Sequence, residues 1–223
     1  MRSGGMSVQS IIETVEDADI AVAHEAAEIR HHPVTQALGH LSEVADQPPM
    51  LALGAVTLAG GLLSGDRRVA EAGARLLASV ALATAIKTAI KRTVVRTRPH
   101  VLADEGRYET GLMGSTDGPF SSFPSGHTAD AVSAARAMAR VYPGAAMPCY
   151  GAAASIAAIQ IPRCAHYPSD IAAGALIGVA AEAAVDRLWP QVAPALDVTL
   201  HALDRIEPLR DVRRRVAEAV PRP

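Results

Sequence analysis

Aromatic residues are scarce in this sequence, with 2 Phe, 4 Tyr and 1 Trp among 223 residues. The large rings that close most sheet-based cores are missing. The 49% hydrophobic content is mostly Ala, with Val, Leu and Ile, a profile suited to close-packed helices. An excess of one charge is missing too. The formal net charge is −2, which gives no reason to expect nucleic acid as a partner. Cysteine is limited to Cys149 and Cys164, at the two ends of an apolar stretch that would be about 22 Å long as a helix. A disulfide needs Cα atoms within about 7 Å, so this pair is expected to stay unpaired. Residues 1–19 are acidic and lack an apolar run, so no cleavable secretory signal is expected.

What is present is helical periodicity. Residues 8–47 carry Ile11, Ile12, Val15, Ile20, Val22 and Ala23 at helical spacing, interrupted at Pro33 and closed by Pro48 and Pro49. One or two amphipathic helices on a membrane surface fit this pattern, as does an ordinary solvated helix pair. Residues 50–65 hold no charge, and 69–90 are apolar except for Glu71, Arg75 and Lys87. Glu71 and Arg75 stand four apart and are placed to pair. Residues 99–125 read as a long loop. Helices follow at about 126–141, 145–161 and 171–188, the last with Gly174 and Gly178 on a small-residue face suited to tight contact.

The expected fold is all-α, a bundle of about five apolar, membrane-spanning helices with an N-terminal amphipathic segment. Residues 1–47 form the surface helices, 48–190 the bundle, and 191–223 a polar tail with Arg210, Arg213, Arg214 and Arg215. A water-soluble bundle is the alternative, because the helices are rich in Ala rather than Leu.

Three polar clusters fall at helix ends. In the first, Lys91 and Arg98 are seven apart and would share a helix face, and Pro99 turns Arg98 toward an extended conformation. Two cations at a helix end suit a phosphate. Arg92 and Arg96 fit the plainer role of interface anchors. In the second, Ser125 is placed to cap a helix and Gly126 lets backbone approach an anion, with His127 beside it. In the third, His166 and Asp170 are four apart around Pro168, so the carboxylate is placed to fix the imidazole tautomer. Each cluster taken singly also suits capping or a structural pair.

Together the clusters resemble the signature motifs of the type 2 phosphatidic acid phosphatase family, which shares its helical core with vanadium haloperoxidases and bacterial class A acid phosphatases. Lys91, Arg98 and Pro99 match the first motif, and Pro124 to His127 match the second. His166 and Asp170 match the second half of the third. The resemblance implies that His166 attacks phosphorus to give a phosphohistidine, that Asp170 orients it, and that His127 protonates the leaving oxygen and later activates water. It implies that Lys91, Arg98, Ser125 and the Gly126 N–H hold the phosphoryl oxygens. No carboxylate cluster calls for a metal, so neither a metal nor another cofactor is expected.

The sequence departs from the family at Ile159 and Gln160, where the third motif has Ser-Arg. Gln160 keeps hydrogen-bond donors without charge, and Arg163 is placed to restore the charge from another direction. The resemblance implies a metal-independent phosphatase acting on a lipid-linked phosphate monoester or pyrophosphate. A soluble acid phosphatase or haloperoxidase relative, or a catalytically weakened member, are the alternatives. The expected partners are a lipid phosphate and the membrane, with a homodimer as the assembly to test. Arg67, Arg68, Arg140 and the basic tail lie opposite the motifs in a five-helix topology. That arrangement puts the protein in the cytoplasmic membrane as a multi-pass protein with its site on the outer face.

Overall fold

Helix starts in this chain are set by a few short side chains. In the computed structural model, which describes residues 7–114, 117–208, 210 and 213, Ser7 caps α1 (Val8–Ile29) by accepting from Ser10 N at 3.1 Å. α2 (Pro33–Ser42) has Pro33 in its first turn, so the proline that interrupts one helix opens the next. A 3₁₀ turn, Glu43–Ala45, leads to α3 (Gln47–Ser64), which ends at Gly65 with φ 75°. Asp66 caps α4 (Arg67–Lys91) by accepting from Arg68 N and Val69 N. Arg214 and Arg215 of the basic tail lie outside the described residues.

The stretch expected as a plain loop carries structure. β1 (Val94–Arg96) pairs antiparallel with β2 (Thr110–Leu112), Val95 opposite Gly111, and α5 (Pro99–Glu105) lies between them. Then come α6 (Gly126–Val141), α7 (Ala146–Ile159) and α8 (Pro168–Asp204). α8 runs 37 residues, beyond the expected 171–188 and through Pro190 and Pro194. Prolines weaken a helix interior. Here Leu196 and Leu200 are buried with Ala70 and Trp189, and this packing carries the helix past them.

The all-α class holds, with eight α-helices and one short hairpin among the described residues. The expected spans are less even than the sequence suggests. Among the described residues, α4 alone is long and apolar enough to cross a membrane. α6 and α7, at 16 and 14 residues, are about 24 Å and about 21 Å long. A hydrocarbon layer is about 30 Å thick.

α4 is the central helix, packed on α3, α6 and α8, while α7 lies on α6. A Cβ at Gly174 would stand 2.5 Å from Ser125 O, and one at Gly178 2.6 Å from Ala129 O. These two glycines therefore let α8 touch the first turns of α6, as their spacing suggests. The chain alternates direction, so turns 43–46, 92–125 and 160–167 share one end and turns 65–66 and 142–145 the other. Several charges toward the second end are paired. Arg75 meets Glu71 and Asp186, each at 2.9 Å, and buried Glu182 accepts from Arg136 and Arg140. α1 docks on α5 and the start of α8, with Ala23 buried against Leu102 and Tyr167. Its Val8, Ile11, Ile12 and Val15 remain exposed. Cys149 and Cys164 are both free thiols.

Candidate active site

All three polar clusters meet at the first end of the bundle. His166 leaves the turn after α7 just before Pro168 starts α8, and it is 3% exposed. Its Nδ1 faces Asp170 Oδ2 at 3.6 Å, an electrostatic contact outside hydrogen-bond reach. Asp170 is fully buried and accepts from Ser122 Oγ at 2.5 Å, Arg96 Nη1 at 2.6 Å and Tyr167 N at 2.8 Å. Burial works to raise its carboxyl, but His166, Arg96 and Ser122 outweigh it and hold it at about 2. Burial pushes the His166 imidazole down to about 4; Asp170 opposes this, while Arg98 and Lys91 reinforce it. At neutral pH the pair is a neutral imidazole beside an ionised carboxylate. That is the state a nitrogen nucleophile needs.

Lys91 and Arg98 come together, though not along a helix. α4 ends at Lys91, and the hairpin carries Arg98 back in an extended conformation, ψ 149°. Lys91 Nζ donates to Ser121 O at 2.5 Å, and Arg98 Nη2 reaches the same oxygen at 3.4 Å. Arg98 also donates to Gly118 O at 2.8 Å and to Ala165 O, beside His166, at 3.2 Å. Ser125 caps α6 as expected, its Oγ accepting from Thr128 N. Its own N–H donates to Asp170 O at 3.0 Å, tying the second cluster to the third. The N-terminus of α6 at Gly126 and the two cations thus surround one region near His166, suited to an anion.

His127 stands on the same first turn of α6. Its Nε2 is 3.5 Å from Glu43 Oε2. Gln160 is fully buried, and its amide donates to Ser42 Oγ and Ile156 O. Arg163, expected to restore the missing charge, donates to Ser42 Oγ at 2.8 Å and Glu43 Oε1 at 2.5 Å. The end of α2 and the turn after it therefore hold both Gln160 and Arg163.

Arg96 needs correction. Arg92 is exposed, as an anchor would be, but Arg96 is 5% exposed and central to the site. Besides Asp170, it donates to Asp19 Oδ2 of α1 at 2.7 Å and to Ser169 Oγ at 2.7 Å, and it lies 4.3 Å over the Tyr167 ring. Burial opposes its charge, yet Asp170, Asp19 and Tyr108 more than compensate and keep it above its ordinary value. Asp19 also accepts from Ser169 N at 3.1 Å. One signal was legible: Asp19 interrupts the stripe Val15, Ala23, Ala26 on α1, an acid on the face that is otherwise apolar.

No curated protein matches the chain. Residues 72–192, more than half of its length, match the PAP2 superfamily, and they contain every cluster just described except Asp19, Ser42 and Glu43. With this match over helices that bring Lys91, Arg98, Ser125, His127, His166 and Asp170 to one end, the chain belongs to the PAP2 superfamily.

Proposed function

We propose that the chain hydrolyses a lipid-linked phosphate monoester or pyrophosphate through a phosphohistidine on His166. Membership of the superfamily points to a phosphatase-type activity. The observation that carries the finer reading is the neutral, buried His166 beside ionised Asp170, facing Lys91 and Arg98. Asp170 lies on the Nδ1 side, which leaves Nε2 to attack. The N–P bond forms as the P–O bond to the leaving group breaks, and His127 gives its proton to the departing oxygen. Water then attacks the phosphohistidine, the N–P bond breaks, His127 takes the water's proton, and inorganic phosphate leaves. Lys91, Arg98, Ser125 and the Gly126 N–H hold the non-bridging oxygens, where most of the stabilisation in phosphoryl transfer arises.

Two features support a lipid substrate at a membrane. α3 and α7 are uncharged and apolar, yet Val56 is 71% and Met147 80% exposed, a pattern suited to hydrocarbon rather than water. An apolar groove of about 450 Å³, lined by Ile11, Ile12, Val15 and Phe123, reaches Arg96 and Ser169 beside Asp170. In this reading the site residues lie at the polar end, outside the hydrocarbon. The shortness of α6 and α7 favours a second reading, a water-soluble phosphatase.

Phosphate release from a panel of lipid phosphates in EDTA tests the proposal. Release is expected to persist in chelator, to stop on His166→Ala, and to yield an acid-labile, base-stable label in quenched wild type. An acid-stable label, or activity restored only by magnesium, would overturn the mechanism.

A further inference from the structure

His127 must hold a proton while His166 stays neutral, and its surroundings make that difficult. It is 17% exposed at the side chain, and burial pushes its imidazole down from the ordinary value. The nearby groups are few. From the turn after α2 come Glu43 and Asp46, which favour the charged ring. From the turn after α7 comes Arg163, which disfavours it. From α4 comes Lys87, close to Gly126 and already paired with Asp130 of α6.

Glu43 stands between the two groups that matter most. One carboxylate oxygen takes Arg163 Nη2 at 2.5 Å, and the other faces His127 Nε2 at 3.5 Å. That nitrogen is buried without a hydrogen bond among the described residues, and Glu43 is the carboxylate facing it. Arg163 is held in place from behind. It donates to Ser42 Oγ, and a Cβ at Gly39 would come within 3.1 Å of its Cδ and Nε, so α2 presses directly on the side chain. The guanidinium therefore faces Glu43, which offsets its charge.

We infer that Glu43 is a positioning residue for His127, facing its Nε2–H electrostatically and offsetting the Arg163 charge so that Nδ1–H serves as the proton donor to the leaving oxygen. This rests on the reading of His127 as the proton donor. It gives His127 a carboxylate partner as His166 has Asp170. It also gives the segment before residue 72, outside the superfamily match, a part in the chemistry. The loss of the motif arginine at Gln160 fits the same arrangement. Ser42 and Glu43 sit over Gln160 and Arg163, and a second guanidinium there would have no carboxylate of its own.

The test is the pH profile of kcat/KM for release from one lipid phosphate. The alkaline limb reports deprotonation of His127, and the substrate's own titration is common to all variants and cancels in the comparison. Glu43→Gln removes a negative charge and leaves Arg163 uncompensated, so the limb is expected to move to lower pH by about one unit. Arg163→Gln is expected to move it the opposite way, and Glu43→Asp to recover part of the shift. Limbs unmoved in both the Glu43→Gln and Arg163→Gln variants, or moved in the same direction, would overturn the inference. If Glu43→Gln does not fold, the direction of the Arg163→Gln shift alone decides. His127→Ala separates the two levels. Activity near wild type in that variant would remove His127 as proton donor, whereas a dead His127→Ala with an unmoved Glu43→Gln limb would remove Glu43 alone.

Discussion

Arg96 carries one positive charge into a place nearly free of water, and two carboxylates from distant parts of the chain meet it there. Breaking a buried pair by removing one partner strands the other, which typically costs about 3–5 kcal/mol. Asp19→Asn is therefore expected to lower stability by about that amount in chemical denaturation, although Asp19 touches no group in the reaction. It also leaves Arg96 free to draw on Asp170, so phosphate release is expected to fall with it. A stability change under about 1 kcal/mol, a typical surface substitution, would mean that Asp19 is not held as described. His166 gives a second test at this scale. Its imidazole lies at about 4, below the ordinary value, so the neutral form, the one that attacks in the proposed mechanism, persists above that pH and is lost as pH falls through it. The acid limb of kcat/KM for the wild type should fall near there, and an acid limb near 6.5, the unperturbed histidine value, would show that burial does not control His166.

Between elements, the contact that sets the site is α6 against α8. Ser125 caps α6, its backbone N–H reaches Asp170 O, and Gly174 on α8 leaves room for Ser125 O. Gly174→Ala places a methyl 2.5 Å from that carbonyl, and backbone cannot give way as a side-chain end does. Overpacking of this kind costs about 1–3 kcal/mol, and here it also separates His127 from His166. Lower stability together with a larger fall in kcat than in KM is the expected result. This contact was legible in the sequence because its parts are local: a Ser before one helix, a Pro in the first turn of the other, two glycines four apart. The hairpin was not, since its strands are three residues each and their pairing is closed by Thr97 and Glu109 rather than by a periodic pattern. The same reason hid Arg96 and Glu43. Asp170 and Asp19 lie 74 and 77 residues from Arg96, and Arg163 lies 120 from Glu43, so no local pattern records these contacts.

At the scale of the whole molecule the question is which surface meets hydrocarbon. Helix ends alternate, so the catalytic end and the end bearing Arg67, Arg68 and Arg140 are opposite faces. Between them α3 and α7 present apolar side chains all round, while several charges of α4, α6 and α8 are buried or half-buried in pairs, such as Arg75 with Asp186 and Arg136 with Glu182. Inward-facing, paired charges are what a bilayer tolerates, and positive residues tend to stay on the cytoplasmic side. The expected outcome is that the chain sediments with membranes, resists carbonate and leaves with detergent. Single cysteines, with Cys149 and Cys164 replaced by serine, then report orientation. Glu105→Cys lies at the exposed end of α5 on the site side, and Gly144→Cys in an open turn at the other, with no atom within 4 Å of its Cβ. In intact cells an impermeant thiol reagent should label the first and reach the second only after permeabilisation. The reverse pattern would invert the orientation and place phosphate release on the cytoplasmic side. A chain found in the soluble fraction after lysis would instead favour the water-soluble reading, and the apolar faces of α3 and α7 would then need a protein to cover them.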